Sequence, residues 1–589
     1  MFVKVVLSTL NAKYIHSSLA LRYLASFCKA QGRTVAIREY TVNNGLLEIL
    51  SDLYTCQATV IGLACYIWNI EATLQLAALI KKVQPKAIVV LGGPEVSYQP
   101  EDILTEHAAV DYIVLGEGEQ SLEALLTMLA DGQTMTNIPG VACRNKGELV
   151  MSQPQQVAQL DDIPFPYTHE DVGTLKDKIL YYESTRGCPF ACQYCLSSAT
   201  VGVRFLSLER VMHDLQFFIE HDVKQVKFVD RTFNARKEHY FPILKFLAEQ
   251  TCRTNFHFEI AADIWDQEVV NFLRQVPPGR FQFEIGIQST NEQTLTASKR
   301  HNNWPQIVNY VSQVRDYGNI HLHLDLIVGL PYENGALFAK SFDDVYRLQP
   351  DMLQIGFLKL LKGSGIRESA ANHDYVFMET APYEILANKY MDYATIRHLK
   401  ILEEVFEQVY NSGRFQYSVP WLIALAGGGA FAFYSKLADY WEQHDYQLVA
   451  HSTKNLYKYI AEFGTAFFPH GMHEHHELLK FDALMSEHGA VRPEFLPWNQ
   501  VNQAANDIWA ENKTAFWRDN DRVRRYLPNF TFTTWREIKK IYHIEVFNVD
   551  IPAYLQGTEG LDKREVAVLF SYQNTKTSYQ VINYDDFWN

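Results

Sequence analysis

The sequence predicts an α/β protein: residues 1–375 alternate strand and helix, and residues 376–589 are mainly helical with a few strands. Three observations carry this. Short apolar runs separated by amphipathic segments fill residues 1–150. Six further strand-like runs with helical segments between them fill 176–375. Directly after the first of those six stand Cys188, Cys192 and Cys195.

Bulk properties set the frame. A chain of 589 residues is long for one core, so two to four domains are expected. With 47% hydrophobic and 21% charged residues the composition is that of an ordinary globular protein. A net charge of −15 argues against a general nucleic-acid-binding surface. The opening Met1-Phe-Val-Lys-Val-Val-Leu reads as a first strand and not as a basic-then-apolar export signal, so a cytoplasmic location is expected. The longest apolar run, Val419–Tyr434, is shorter than a bilayer span and contains Pro420 and Gly427-Gly428-Gly429. It reads as a buried, broken helix, and no membrane partner is expected. Of eight cysteines, Cys28, Cys56, Cys65, Cys143 and Cys252 sit in apolar contexts and read as buried thiols.

In the first region the strand-like runs are Phe2–Leu7, Thr34–Tyr40, Thr59–Ala64, Ala87–Leu91 and Asp111–Leu115. Helix-like segments include Ser17–Gln31, Ala72–Lys82 and Gln120–Leu129. Apolar strands alternating with amphipathic helices imply a parallel, doubly wound sheet of flavodoxin-like (Rossmann-type) form. Such sheets bind ligands at the carboxyl ends of their strands. Here those ends carry small residues: Ser8-Thr9, Gly92-Gly93-Pro94 and Gly116-Glu117-Gly118-Glu119. Glycine there lets backbone come close to a flat or phosphate-bearing ligand. No G-x-G-x-x-G opens the first helix and there is no Walker lysine, which disfavours nucleotide binding by those routes.

Residues 151–175, with Gln153-Pro-Gln-Gln and Ile163-Pro-Phe-Pro-Tyr, read as a proline-punctuated linker. The second region supplies strand candidates Ile179–Glu183, Gln225–Val229, Asn255–Ile260, Arg280–Ile287, His321–Val328 and Met352–Leu358. Helical runs separate them, such as Leu208–Glu220, Tyr240–Gln250 and Pro305–Tyr317.

The spacing C-x-x-x-C-x-x-C in Ser184-Thr-Arg-Gly-Cys-Pro-Phe-Ala-Cys-Gln-Tyr-Cys places three soft sulfur ligands on one tight loop. Three thiolates hold three corners of a 4Fe-4S cluster and leave one iron open to another ligand. A structural zinc site normally takes four protein ligands, and no fourth Cys or His lies in that loop. The motif resembles the C-x-x-x-C-x-aromatic-C signature of the radical S-adenosylmethionine (radical SAM) superfamily, with Tyr194 in the aromatic slot. That resemblance implies that the six βα units form a partial (β/α)6 barrel with chemistry at the carboxyl rim of its strands. It also implies that S-adenosylmethionine chelates the open iron and is cleaved by one electron to a 5′-deoxyadenosyl radical. An electron donor such as flavodoxin or ferredoxin is implied as a partner.

A flavodoxin-like domain ahead of such a barrel looks like the cobalamin-binding class of the superfamily. The likeness spans about residues 1–375, with Ser8, Thr9, Gly92, Gly93, Gly116, Glu117 and Gly118 as the cradle. One departure is plain: the D-x-H-x-x-G histidine is absent, since His16 in Lys13-Tyr-Ile-His-Ser-Ser lacks both the Asp and the Gly. For S-adenosylmethionine the resemblance implies Asp230 in Phe228-Val-Asp-Arg-Thr-Phe-Asn for the methionyl ammonium. It implies Gln288 and Ser289 for the ribose, and Gly329 of Asp325-Leu-Ile-Val-Gly against adenine.

Residues 376–589 hold no sharp catalytic motif; they read as helical to about 540, then as strands Ile544–Val549, Glu565–Phe570 and Ser578–Ile582. The cluster His470-Gly-Met-His-Glu-His-His-Glu matches neither H-E-x-x-H nor a zinc finger and reads as a solvated loop. The expected activity is radical cleavage of S-adenosylmethionine, with cobalamin serving methylation of an unactivated carbon of a small-molecule or peptide substrate. The alternatives are a non-methylating rearrangement or coupling, and a non-catalytic Fe-S redox protein.

Overall fold

A computed structural model describes residues 3–133, 137–196, 202–499, 503–557, 560–573 and 577–588, without the side chains of 503–507. It divides into two compact units, Met1–Ile396 and Arg397–Asn589.

The first unit opens with β1 (Val5–Asn11), β2 (Val35–Thr41), β3 (Val60–Ala64), β4 (Ile88–Gly92) and β5 (Tyr112–Val114). These are parallel in the order β2-β1-β3-β4-β5. An antiparallel hairpin, β6 (Val141–Asn145) and β7 (Glu148–Met151), extends the sheet and has no counterpart among the expected strands. Every residue of β1 and β3 is buried, because helices cover both faces. Val6, Leu10 and Ile61 join Ile49, Leu53, Leu76 and Ile80 of helices Leu46–Thr55 and Ile70–Val83 on one side. Val5, Leu7 and Val60 join Leu21, Ala25, Leu122 and Leu125 of helices Leu19–Ala30 and Gly118–Ala130 on the other.

Residues 152–175 are ordered, with a 3-10 turn at Leu160–Asp162 and a helix, His169–Thr174, started by a Thr168/Asp171 capping box. Then follow β8 (Leu180–Tyr182), the short antiparallel pair β9 (Thr185–Gly187) and β10 (Val203–Phe205), and β11 (Gln225–Phe228). The run continues with β12 (Asn255–Ile260), β13 (Phe281–Gln288), β14 (His321–Val328) and β15 (Met352–Phe357). The last four pair in parallel with β11 and β8 in the order β15-β14-β13-β12-β11-β8, the partial barrel sheet expected. Strict alternation of burial along β13 sends Phe281, Phe283, Ile285 and Ile287 into the core and turns Gln282, Glu284, Gly286 and Gln288 to the opposite face. Phe258 of β12 packs 4.6 Å from Phe228 and 4.3 Å from Phe233, ring centre to ring centre, which ties β11 to β12. The unit closes with a two-stranded ribbon, β16 (Val376–Phe377) and β17 (Ile385–Ala387).

The second unit holds helices Ser418–Ala426, Ala430–Gln443, Thr453–Phe467 and Met472–Ser486. An antiparallel sheet of β18 (Tyr542–Phe547), β19 (Val566–Ser571) and β20 (Ser578–Ile582) follows, in the three places expected. The apolar run is indeed broken: its helices bend by 105° at the Gly427–Gly429 break, and Leu425 beside it is 48% exposed. No single helix among the described residues is long and apolar enough to cross a membrane. Two expectations change. His473–Glu477 lie on helix Met472–Ser486 and not in a loop, with His475 and Glu477 fully buried; Cys252 is only half-buried.

Asp482 gives the second unit a pH dependence. Fully buried, it accepts from the backbone N–H groups of Tyr417 and Ser418, both at 3.0 Å, and burial pushes its carboxyl up to about 7. The folded state therefore holds this proton above the ordinary aspartate range, where the unfolded chain has released it. Its stabilisation is complete below the unfolded value and is lost as pH rises through 7. Melting is expected at a lower temperature at pH 8 than at pH 5.5, with a shallower slope in Asp482→Asn; an equal slope in the variant contradicts the assignment.

Candidate functional site

The cysteine loop leaves the carboxyl end of β8, the rim where barrel chemistry sits. Its approach depends on Gly187, at φ +100°, where a Cβ would lie 2.0 Å from the Gly202 carbonyl oxygen across the β9–β10 pair. Backbone bonds pin the loop from both sides. Gln193 N–H donates to Ser298 O at 2.9 Å, and Ile366 N–H donates to Gln193 O at 2.9 Å. Cys195 N–H closes the turn on Cys192 O at 3.1 Å.

Cys188, Cys192 and Cys195 line one cavity with Tyr194, Thr232, Glu259, Glu284, Gln288, Arg300 and Asp325. Burial raises the Cys188 thiol above its ordinary range; Thr232, whose hydroxyl stands 3.4 Å from its sulfur, opposes that rise, and Cys192 and Cys195 add to it. Arg300 supplies countercharge: its guanidinium lies 4.0 Å from the Cys192 sulfur and 5.6 Å from the Phe190 ring centre, and donates to Gly286 O at 2.6 Å. Burial pushes the Tyr194 hydroxyl far up, and the neighbouring cysteines reinforce it, so it stays a protonated donor. Three mutually influencing thiols beside a fixed guanidinium form a donor set that fits a 4Fe-4S cluster.

The other expected contacts divide. Gln288 lines the cavity, held at φ +70°, and its Oε1 is buried without a hydrogen-bond partner. Asp230 does not face the cavity. It is fully buried and accepts from Ser184 N–H at 3.1 Å and Ser184 O–H at 2.8 Å, fixing the β8–β9 corner, and burial raises it to about 6. The chain turns after β11 so that Arg231 and Thr232 face the cavity in its place. Ser289 is buried and donates to Glu333 at 2.6 Å. The Gly329 carbonyl accepts from Tyr375 O–H and Asn388 Nδ2, both at 2.9 Å, and a Cβ on Gly329 would meet Ile385 at 2.7 Å.

In the first sheet, Ser8 and Thr9 lie within β1 and not beyond its end, since pairing with β2 runs on to Asn11. Ser8 Oγ is buried without a partner, and Thr9 accepts from Asn69 at 3.3 Å. At three glycines the protein itself stands where a Cβ would lie. A Cβ on Gly93 would lie 2.5 Å from Cys65 O, one on Gly116 2.9 Å from Pro154, and one on Gly118 3.0 Å from Leu24; Gly92 has only ordinary contacts, with Val114. Glu117 turns to the cysteine side, pairing with Arg204 and with Arg186 at 3.3 Å, while Arg186 also holds Glu119 at 2.6 Å and Glu183 at 2.8 Å. Exposed aromatic rings stand instead on the loops after β1 and β3. Tyr14 there is 68% exposed, and Trp68, stacked 4.6 Å from Tyr66, is 47% exposed. The strand order reverses between those two loops, at the ligand crevice of a doubly wound sheet.

Sequence reasoning also missed the polar lining below the cavity: Lys227, His257, Glu259, Glu284, His323 and Asp325. Its signal was present as polar residues at every second position in His257-Phe-Glu, Gln282-Phe-Glu-Ile-Gly and His321-Leu-His-Leu-Asp.

A doubly wound sheet is joined to a six-stranded parallel barrel sheet that carries three cysteines on the loop after its first strand. Residues 5–126 match the B12 binding domain, 182–345 the Radical SAM superfamily, and 371–570 a family described as Protein of unknown function (DUF4080). The chain is thus a radical SAM superfamily protein with a cobalamin-binding domain. A radical SAM domain implies a 4Fe-4S cluster and S-adenosylmethionine, and a B12 binding domain implies cobalamin.

The chain is 30% identical over 306 residues to 2-(S-pantetheinyl)-carbapenam-3-carboxylate methyltransferase of Streptantibioticus cattleyicolor, covering 47% of this chain and 43% of that one. It is 31% identical over 307 residues to the cobalamin-dependent radical SAM methyltransferase TokK of Streptomyces tokunonensis, covering 48% of this chain and 44% of that one. The matched part therefore spans less than half the length of either relative. Among solved structures, the cobalamin-dependent S-adenosylmethionine radical enzyme OxsB with aqua-cobalamin and S-adenosylmethionine bound superposes with a TM-score of 0.58. That match covers 84% of this chain and 82% of OxsB at 15% identity, a likeness of fold.

Proposed function

We propose that this chain is a cobalamin-dependent radical SAM methyltransferase acting on an unactivated carbon of a small molecule. The observation that carries the reading is the pinned cysteine loop, whose three sulfurs open on one cavity with a polar floor. When bound, the cluster supplies the electron that cleaves S-adenosylmethionine to a 5′-deoxyadenosyl radical, and cobalamin supplies the methyl group. The protein's part is to orient and to shield. Arg300 balances the charge of the sulfurs, and Gln288 offers its unpartnered amide oxygen to a ligand hydroxyl or amine. The β9–β10 pair and the Arg186 ion pairs hold the loop still.

In this reading residues 1–150 carry cobalamin, 151–175 connect, 176–375 carry the cluster and S-adenosylmethionine, and 376–589 form a separate C-terminal domain. Ser8, Thr9 and the glycine turns shape the cobalamin side by packing. A cytoplasmic flavodoxin or ferredoxin supplies the electron.

Product stoichiometry under anaerobic, reducing conditions tests the proposal. 5′-Deoxyadenosine and S-adenosylhomocysteine are expected together; 5′-deoxyadenosine without S-adenosylhomocysteine removes methyl transfer and leaves a rearrangement or coupling. Visible absorption after reconstitution with hydroxocobalamin reports separately on the first sheet, and failure to retain a corrinoid withdraws its assignment.

A further inference from the structure

Below the cysteine cavity the barrel strands turn a ladder of ionisable side chains to one face. Strand register sets Glu284 of β13 directly beside His323 of β14, Gly286 beside Asp325, and Glu259 of β12 beside Glu284. One ligand atom from each of Glu284, His323 and Asp325 lies within 4.8 Å of the other two. His323 Nε2 comes to 2.8 Å of Asp325 Oδ1, and His257 Nε2 to 2.9 Å of Glu284 Oε2. His257 and His323 are each only 6% exposed, yet neither Nε2, nor Asp325 Oδ1, makes a well-directed hydrogen bond. Buried polar atoms that converge at ion-pair distance without well-directed hydrogen bonds form the arrangement that a shared ion would bridge.

The donor chemistry identifies that partner as a cation. Glu259, Glu284 and Asp325 bring three carboxyl groups together; Lys227 lies 2.8 Å from Glu284, and Arg231 and Arg300 line the same cavity. The donors are imidazole nitrogen and carboxylate oxygen without thiolate, a set suited to zinc, manganese or ferrous iron. Three or four protein ligands at about 2.0–2.2 Å fit such ions, and Glu284 and Asp325 also line the cavity, which leaves one side open.

We propose that Glu284, His323 and Asp325, with His257 beside them, bind one divalent cation inside the barrel sheet, on the floor of the cavity that the cysteines line. None of these ligands is a cysteine, so the site stands or falls independently of cluster loading and of methyl transfer.

The test uses the full chain with Cys188, Cys192 and Cys195 replaced by alanine, which removes cluster iron. After incubation with Zn²⁺ and gel filtration, metal analysis is expected to find one equivalent per chain. Adding His323→Ala or Asp325→Asn is expected to reduce it at least tenfold with the circular dichroism spectrum unchanged. No retained zinc in the parent overturns the site. So does one equivalent that persists in His323→Ala, which assigns the metal elsewhere, for instance to His470, His473 and His476. If the triple cysteine variant does not fold, the cluster-loaded chain is titrated with Mn²⁺ and free Mn²⁺ is followed by electron paramagnetic resonance. One saturable site lost in His323→Ala sustains the proposal, and its absence from the unmutated barrel ends it.

Discussion

Replacing Cys192 with alanine is expected to reduce S-adenosylmethionine cleavage to background and to lower iron content from about four per chain towards zero. Cys192 is the most enclosed of the three thiols, 6% exposed, and stands between Arg300 at 4.0 Å and the turn that Cys195 N–H closes at 3.1 Å. Two remaining sulfurs leave two irons without protein ligands, and a cubane so held is open to solvent and oxygen. Anaerobic reconstitution followed by iron and sulfide analysis, with 5′-deoxyadenosine read by chromatography, checks the outcome. Full iron with preserved cleavage in the variant would mean that the loop does not hold the cluster. Cys28 and Cys143 provide controls: both are buried in the first sheet and its helices, away from the cavity, and Cys143→Ser is expected to leave iron content unchanged.

Lys480→Met is expected to destabilise the second unit by about 3–5 kcal/mol, because it leaves two buried carboxylates without their cation. Lys480 is fully buried. Its ammonium lies 2.9 Å from Glu477 and 3.7 Å from Glu545, donates to Pro497 O at 3.2 Å and Val546 O at 3.1 Å, and sits 4.6 Å from the centre of the Phe547 ring. The network joins helix Met472–Ser486 to β18, so its loss unfastens the helices from the sheet. Urea denaturation measures the change. Adding Glu477→Gln and Glu545→Gln to the Met variant is expected to restore much of it, since replacing a whole buried ion cluster is far milder than breaking it. A loss below about 1 kcal/mol in the single variant would instead class this lysine with exposed ion pairs.

The fold was legible wherever its signal is local. Apolar runs bounded by turn residues marked all six barrel strands, because a strand buried on one face between helices writes its own pattern. The cysteine loop was legible for the same reason: its ligands lie within eight residues of one another. What the sequence did not show depended on partners far along the chain. Asp230 ends a strand where a ligand contact was expected, but Ser184, a residue 46 positions earlier, claims its carboxylate. Glu117 looked like part of a ligand-cradling turn, yet Arg186 and Arg204 draw it to the other side. Gly93 and Gly116 were read as letting backbone approach a cofactor, and Cys65 and Pro154 stand where their Cβ atoms would lie, a close packing that only the fold reveals. The hairpin β6–β7 was overlooked because its outer strand, Glu148–Met151, is short and mostly exposed, with no apolar run to announce it. The ladder of ionisable side chains is the polar half of the alternation in β12, β13 and β14, which periodicity alone does not distinguish from a solvent-facing side.

The clasp formed by Glu117 and Glu119 with Arg186 and Arg204 has a mechanical meaning. All four side chains are largely withdrawn from water, so prising that seam apart would strand like-signed groups in a medium that screens them poorly. The flavodoxin-like half and the sulfur-bearing rim are therefore clamped along this seam, and parting them costs the charge pairing on both sides.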